Sequence, residues 1–430
     1  MKCVIMAGGR GTRISSVASE IPKPMIRISG KPVLEHAIEV LSSQGISDFI
    51  ITVGHLKEVI TNYFGDGSGI SPATGKAFGV KIEYYEEEKP LGNAGALFFI
   101  KEKLTEDFLL INGDVLFDVD LGRFLAYHKE KGGLVTLFTH PNNHPYDSGI
   151  IIADGNGEVK TWLAKEDERP EYYKNRVNAG LHIISEKVLD IKIDKEKIDL
   201  DRDILKPLAD KGGMYAYDSS EYVKDMGTPE RYAAVCKDYE HGKIKNRNLN
   251  RKQKAIFIDR DGTINKYVGF LRHIDEFELL PKVGEAIKKI NDSDYLAIVV
   301  TNQPVIARGE MDFDELEETH NKMEILLGKD GAFLDKIYFC PHHPDSGYEG
   351  ERSEYKIKCE CRKPRPGMLL KAAEEFNIDL SLSWMVGDSA NDVKAGKAAG
   401  CRTALIGAGE EGQEITVESL YEFVEKIINL

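Results

Sequence analysis

Two carboxylates, Asp259 and Asp261, stand two residues apart in Asp-Arg-Asp-Gly-Thr, directly after the apolar run Ala255 to Ile258. On an extended segment that spacing lets one carboxylate attack a phosphorus atom while the other handles the proton of the leaving group or of incoming water. Gly262 permits the sharp turn that follows. Thr301 and Asn302 come after the apolar run Ala297 to Val300, Lys363 lies in Cys-Arg-Lys-Pro, and Asp388 follows Trp384 to Val386. Polar sites that each end an apolar segment converge on one edge of a parallel sheet, which is where such sheets bind ligands.

A second phosphate-directed set opens the chain. Gly8, Gly9 and Gly11 alternate with Arg10, Thr12 and Arg13 after the apolar run Val4 to Met6. Glycines let backbone N–H groups close on a phosphate, and arginines add fork-shaped charge. Lys23, between Pro22 and Pro24, supplies a point charge on a stiff segment. A third set is Cys340, His342, Cys359 and Cys361, a C-x-H and a C-x-C separated by 16 residues. Four such ligands on a long loop fit a closed tetrahedral Zn²⁺ site of structural role, with His343 as the alternative to His342. Cys3, Cys236 and Cys401 lack such spacing and are expected in cores.

These sets need elements to hold them. The short apolar runs Phe49 to Val53, Phe108 to Ile111 and Leu134 to Phe138 read as strands, and Pro32 to Ser43 reads as a helix with Val33, Leu34, Ala37, Ile38 and Leu41 on one face. Strands alternating with helices predict an α/β fold with a mainly parallel sheet. A chain of 430 residues, 42% hydrophobic and 30% charged, exceeds what one core serves, so two domains are expected. From His241 to Lys254 the chain carries six Lys or Arg and no acid, which reads as a linker over 241–253 between domains at 1–240 and 254–430.

The net charge of -14 argues against nucleic acid as a partner. Small anionic substrates need only a local basic cluster. No run approaches the ~20 apolar residues of a membrane span, and Met1 to Ala7 is too short for a secretion signal, so a cytoplasmic location without membrane partners is expected. A homo-oligomer is allowed.

With these motifs in view, residues 1 to about 235 resemble the sugar-phosphate nucleotidylyltransferases, whose signature is GGxGTR followed by PKP. The resemblance implies a Rossmann-like sheet and a reaction that joins a nucleoside triphosphate to a sugar 1-phosphate with release of pyrophosphate. It implies that Gly8, Gly9, Gly11, Thr12 and Arg13 hold the triphosphate and that Lys23 stabilises charge on the α-phosphoryl group. Pro90 to Gly95, reading PLGNAG, is similar to the base-binding loop PLGTAG of guanylyl-transferring members, with Gly92 and Asn93 as contacts. Asp114 and Asp225 match the two Mg²⁺ ligands, Asn178 and Gly180 the sugar-contacting segment, and Lys165 a sugar-phosphate contact. The usual Glu-Lys-Pro reads Ala164-Lys165-Glu166, so the sugar-binding Glu is absent or displaced.

Residues 254 to about 410 resemble the haloacid dehalogenase-like phosphatases, also Rossmann-like. That implies Asp259 as the nucleophile forming an aspartyl-phosphate and Asp261 as general acid and base. Thr301, Asn302 and Lys363 become the phosphoryl clamp. Mg²⁺ would sit on Asp259, the Asp261 carbonyl and Asp388, with Asp392 in support. CPHHPD, CECRKPRPGM and TNQ narrow the resemblance to D-glycero-D-manno-heptose 1,7-bisphosphate phosphatases, with Gln303, Arg362 and Arg365 facing substrate; histidinol phosphatases share most of these features. The usual TNQSGIARG reads TNQPVIARG, which implies a loop that is stiffer or differently shaped.

Joined in one chain, the two resemblances imply consecutive reactions: loss of the 7-phosphate, then guanylyl transfer from GTP to heptose 1-phosphate. Other readings stay open. One is a mannose or hexose 1-phosphate transferase fused to a sugar or histidinol phosphatase. Another is a non-catalytic nucleotide-sugar-binding domain on an active phosphatase.

Overall fold

The structure, a computed structural model, describes residues 1–9, 21–347 and 349–428. The chain divides into two compact units. The first comprises Met1–His140, Ile151–Trp162 and Asn178–Asn248; the second comprises Pro141–Ile150, Leu163–Val177 and Leu249–Leu430.

In the first unit the opening strand Cys3–Met6 lies parallel between Asp48–Val53 and Phe108–Asn112. Lys81–Glu86 continues the parallel run on the far side of Asp48–Val53. Alternate residues of these strands face two separate cores: Ile5, Phe49, Ile51 and Leu109 one, Val4, Ile50, Phe108 and Leu110 the other. Burial on both faces explains why the strands read as continuous apolar runs. The helix Val33–Ser42 buries Val33, Leu34, Ala37, Ile38 and Leu41, the face expected from its spacing. The sheet departs from a parallel one at Val177–Ile184, which runs antiparallel to Phe108–Asn112. A two-stranded sheet, Val115–Asp118 with Tyr222–Asp225, stands apart from the main one.

The second unit is built on six parallel strands in the order Lys336–Cys340, Tyr295–Asn302, Lys254–Ile258, Trp384–Gly387, Arg402–Ile406, Ile415–Val417. Helices Val283–Asp292, Phe313–Lys329 and Leu420–Ile428 pack on the face that presents Ile256, Ile258 and Val299. Helices Gly367–Glu375 and Ala390–Ala399 cover Phe257, Ile298 and Val300.

The segment read as a basic linker carries a short helix, Lys243–Asn246. Its Ile244 is buried with Ile28, Val33, Leu116 and Val235, so one apolar side chain suffices to dock a stretch that is otherwise basic. Among the described residues, no helix is long and apolar enough to cross a membrane.

Candidate active sites

In the second unit, chemistry gathers where the strands end. Asp259 directly follows Lys254–Ile258, and its N–H donates to Val386 O at 3.0 Å, which ties it to the strand that leads into Asp388. Gly262 sits at φ +83, and a Cβ there would lie 1.9 Å from an Asp388 oxygen, so both backbone and space require glycine. Asp388 is thereby held against the turn after Asp259. Asp392 lies in the first turn of helix Ala390–Ala399, where its Oδ2 accepts from Ser389 N at 3.1 Å and from Ser389 Oγ at 2.6 Å.

Lys363 Nζ bridges this set, 2.7 Å from Asp259 Oδ1 and 2.6 Å from Asp392 Oδ1. Burial works against its charge, but Asp259 and Asp392 outweigh burial and hold the ammonium above its ordinary range. Asp259, Asp388 and Asp392 each place a carboxylate oxygen within 4.8 Å of the others. Burial and the charge of Asp392 push Asp259 up to about 8 and Asp388 up to about 6. Asp261 behaves differently. Burial works to raise it, but the charge of Arg260 and hydrogen bonds from Asn265, Gln303 and Arg260 hold it below the usual carboxylate range.

Thr301 is the penultimate residue of the strand Tyr295–Asn302 and is buried. Asn302 grips the backbone of Lys363 in both directions, Nδ2 donating to Lys363 O at 3.0 Å and Oδ1 accepting from Lys363 N at 3.0 Å. Gln303 is also buried, and its Nε2 donates to Thr301 Oγ1 at 2.8 Å and Asp261 Oδ2 at 2.9 Å. Both carboxamides, expected against phosphoryl group or substrate, thus orient protein groups. Arg362 Nη1 donates to His342 O at 3.1 Å, while Arg365 Nη1 donates to Cys359 O at 3.2 Å and pairs with Glu360. The two arginines brace the cysteine loop.

That loop leaves the same sheet edge, since Cys340 ends the strand beside Asn302. Cys361 Sγ lies 3.2 Å from Cys359 Sγ, 3.3 Å from Cys340 Sγ and 3.4 Å from His342 Nδ1, and Cys340 Sγ lies 3.5 Å from Cys359 Sγ. A zinc ion with sulfur at ~2.3 Å needs ligand atoms about 3.5–3.8 Å apart, so the four donors could hold one after small adjustment. His343 points elsewhere, its Nδ1 accepting from Asp345 N at 3.2 Å.

In the first unit, Gly8 and Gly9 follow Cys3–Met6 at the strand's carboxyl end; Gly11, Thr12 and Arg13 lie outside the described residues. Lys23 opens a short helical turn with Pro24 and Met25 buried, and its Nζ donates to Asp114 Oδ2 at 3.2 Å. Asp225 pairs with Val115 across the small sheet, and Met226 N donates to Asp114 O at 3.1 Å, so this pairing sets the backbones of the two distant aspartates side by side. Arg231, which the sequence motifs did not single out, donates from Nη1 to both Asp225 oxygens at 2.9 Å. Its signal was the Thr228-Pro229 helix start, which sets residue 231 in the first turn above Asp225.

Asn178 Oδ1 accepts from His182 Nε2 at 2.9 Å, and Gly180 lies against Asn112, close to Asp114 in sequence. Asn93 Oδ1 accepts from Leu200 N at 2.7 Å, and a Cβ on Gly92 would lie 2.2 Å from Ile198 O. These contacts lock the expected base loop onto the 198–200 segment. Lys165 is exposed on the Leu163–Val177 segment of the second unit.

The nucleotidyl transferase family matches residues 2–242, and the HAD-hydrolase-like family matches residues 360–424. The D-glycero-beta-D-manno-heptose-1,7-bisphosphate 7-phosphatase of Haemophilus ducreyi is 39% identical over 181 residues, covering 40% of this chain and 97% of that protein. The protein of the same name from Escherichia coli (strain K12) is 41% identical over 165 residues, covering 38% and 83%. A crystal structure of HddC from Yersinia pseudotuberculosis complexed with GMP-PN is 26% identical, covers 55% of this chain and 99% of that chain, and superposes with a TM-score of 0.46.

Proposed function

From a chain that belongs to the nucleotidyl transferase family over residues 2–242 and, over its carboxyl-terminal part, to the D-glycero-beta-D-manno-heptose-1,7-bisphosphate 7-phosphatases, we propose two consecutive reactions on one sugar. The 7-phosphate of D-glycero-D-manno-heptose 1,7-bisphosphate is hydrolysed, and a guanylyl group then passes from GTP to the remaining 1-phosphate, giving GDP-heptose and pyrophosphate. Residues 1–240 carry the transfer and 254–430 the hydrolysis, in the cytoplasm. The observation that carries the reading is the Lys363 bridge between Asp259 and Asp392, in a chain that also pairs Lys23 with Asp114. Removing the distal phosphate yields a sugar 1-phosphate, the substrate class of the transferase. Histidinol phosphate would leave nothing for the transferase to use.

Asp259 attacks the 7-phosphorus, the bond to the sugar oxygen breaks, and that oxygen takes a proton from Asp261, which must be loaded with one beforehand because Arg260, Asn265 and Gln303 favour its ionised form. Water then attacks the aspartyl-phosphate and gives its proton back to Asp261, releasing phosphate. Lys363 and Thr301 hold the non-bridging oxygens. Asp259, Asp388 and the Asp261 carbonyl would hold Mg²⁺, and the donor set fits: burial and the nearby charge of Asp392 raise both carboxyls, a cost that a divalent cation relieves. Bound there, Mg²⁺ would neutralise charge on the transferred group.

In the transferase, Asp114 and Asp225 would hold Mg²⁺ and Lys23 would face the α-phosphoryl group, where attack by the sugar phosphate needs charge neutralisation more than a base. Gly8, Gly9, Gly11, Thr12 and Arg13 would cradle the triphosphate. Cys340, His342, Cys359 and Cys361 would hold a structural Zn²⁺.

The test is mass-spectrometric analysis of products after incubation with heptose 1,7-bisphosphate, Mg²⁺ and each nucleoside triphosphate in turn. GDP-heptose formed with GTP alone is expected. Heptose 1-phosphate accumulating with every nucleotide would overturn the guanylyl assignment, and an untouched bisphosphate would overturn the phosphatase assignment. Asp259→Asn is expected to abolish hydrolysis and to leave transfer to supplied heptose 1-phosphate intact.

A further inference from the structure

Arg260 separates the two carboxylates of the phosphatase motif and takes no part in the steps above. Its side chain is 0% exposed, a costly place for a cation unless charge and hydrogen bonds surround it. Asp261 supplies the charge. Arg260 Nε donates to Asp261 Oδ1 at 3.1 Å, and Nη2 reaches Oδ1 and Oδ2, both at 2.9 Å. On its other side, Nη1 lies 3.3 Å from His320 Nε2. His320 belongs to helix Phe313–Lys329 and packs against Phe339, with ring centroids 5.8 Å apart. Burial and the Arg260 charge push its imidazole down to about 3, so the ring is neutral and Nε2 can accept.

A fork meeting a carboxylate fixes its plane as well as its position, which a point charge does not. Asn265 Nδ2 on Oδ1 at 3.0 Å and Gln303 Nε2 on Oδ2 at 2.9 Å then set each oxygen separately. Asp261 therefore stands in one defined orientation, and the rigid part of its support reaches back through Arg260 to a helix on one face of the sheet.

We propose that Arg260, braced by His320, is a positioning residue for Asp261, holding the proton-transferring carboxylate in place beside the phosphoryl group. Positioned acid–base catalysis is worth about 10²–10⁴-fold, and a displacement of about 1 Å can cost about 10²-fold. The inference rests on the phosphatase reading but not on the identity of the sugar.

The test compares leaving groups in the full-length chain. 4-Nitrophenyl phosphate releases its phenolate without needing a proton, so its burst reports attack by Asp259; a sugar phosphate needs the proton from Asp261. With Arg260→Met, kcat on the sugar bisphosphate is expected to fall about 100-fold with KM within about twofold. The nitrophenolate burst is expected to keep its rate within about threefold and to be followed by slow turnover, because water attack also uses Asp261. Arg260→Lys should recover part of the loss, and His320→Asn should repeat the pattern at about tenfold.

A burst slowed as much as sugar-phosphate turnover would overturn the proposal in favour of a general packing role. Variants as fast as the parent, or faster, would overturn it by making the ion pair dispensable or a restraint. His320→Asn carries the test alone should Arg260→Met not fold. A parent chain inactive on both substrates would instead sink the phosphatase reading.

Discussion

Lys363 neutralises two carboxylates at once, and its side chain is 2% exposed. Removing its charge leaves Asp259 and Asp392 facing each other in a buried site, so Lys363→Met is expected to lower phosphatase kcat at least about 100-fold while nucleotidyl transfer persists in the same sample. Burial together with the charge of Asp392 sets a pH dependence. Asp388 is pushed up to about 6 and Asp259 up to about 8, against about 4 in an unfolded chain. Without a divalent cation these two carboxyls hold more protons in the folded protein than in the unfolded one, so their contribution to stability falls as pH rises from about 4 toward 8. Mg²⁺ favours the ionised carboxylates, so the rise in unfolding temperature that it causes should be larger at pH 7.5 than at pH 5. Calorimetry at both pH values checks this; an equal rise would remove these carboxylates from the ion site. At this scale the sequence identified the charged residues better than the amides. Asn302 and Gln303 carry donor and acceptor on one short side chain, and only the neighbouring Lys363 backbone and Asp261 decide which way each is used. Arg231 was signalled only by the Thr228-Pro229 helix start, and Arg260 escaped notice because its fork on the adjacent Asp261 depends on a turn whose geometry is not written in residue spacing.

The cysteine loop and the phosphoryl clamp share one stretch of backbone. Cys340 O accepts from Gln303 N at 2.8 Å, and Cys361 stands two residues before Lys363. Loss of the ion should thus reach the clamp. Cys359→Ser is expected to abolish bound zinc, measured by elemental analysis, to lower the melting of the second unit by more than about 5 °C, and to reduce hydrolysis but not transfer. Unchanged melting would make the loop self-supporting. The parallel strands were legible because burial on both faces writes uninterrupted apolar runs such as Ala255 to Ile258. The pairing of Tyr222–Asp225 with Val115–Asp118 was not, although it is what unites Asp114 with Asp225. Partner choice between remote strands depends on the whole surrounding sheet and leaves no local pattern.

At the scale of the molecule, two enzymes were visible from two motif sets, but the extent of the second unit was not. It includes Pro141–Ile150 and Leu163–Val177, whose composition is ordinary. Arg176 and Glu324, 5% and 3% exposed, lie 3.2 Å apart within it, and Glu324 also accepts from Asn175 N at 2.8 Å. Glu324→Gln removes a buried charge 3.2 Å from Arg176, at a cost of about 3–5 kcal/mol, and is expected to lower the melting of the second unit; an unchanged melting curve would make the pair incidental. The arrangement also bears on how such a gene can be rearranged. A crossover between codons 248 and 249 separates the motif sets cleanly, yet it hands the phosphatase cassette a Glu324 whose counter-ion stays behind on the other fragment. Shuffling the phosphatase half into a new fusion would therefore require a compensating change at position 324, and libraries of such recombinants should be enriched for apolar or amide residues there.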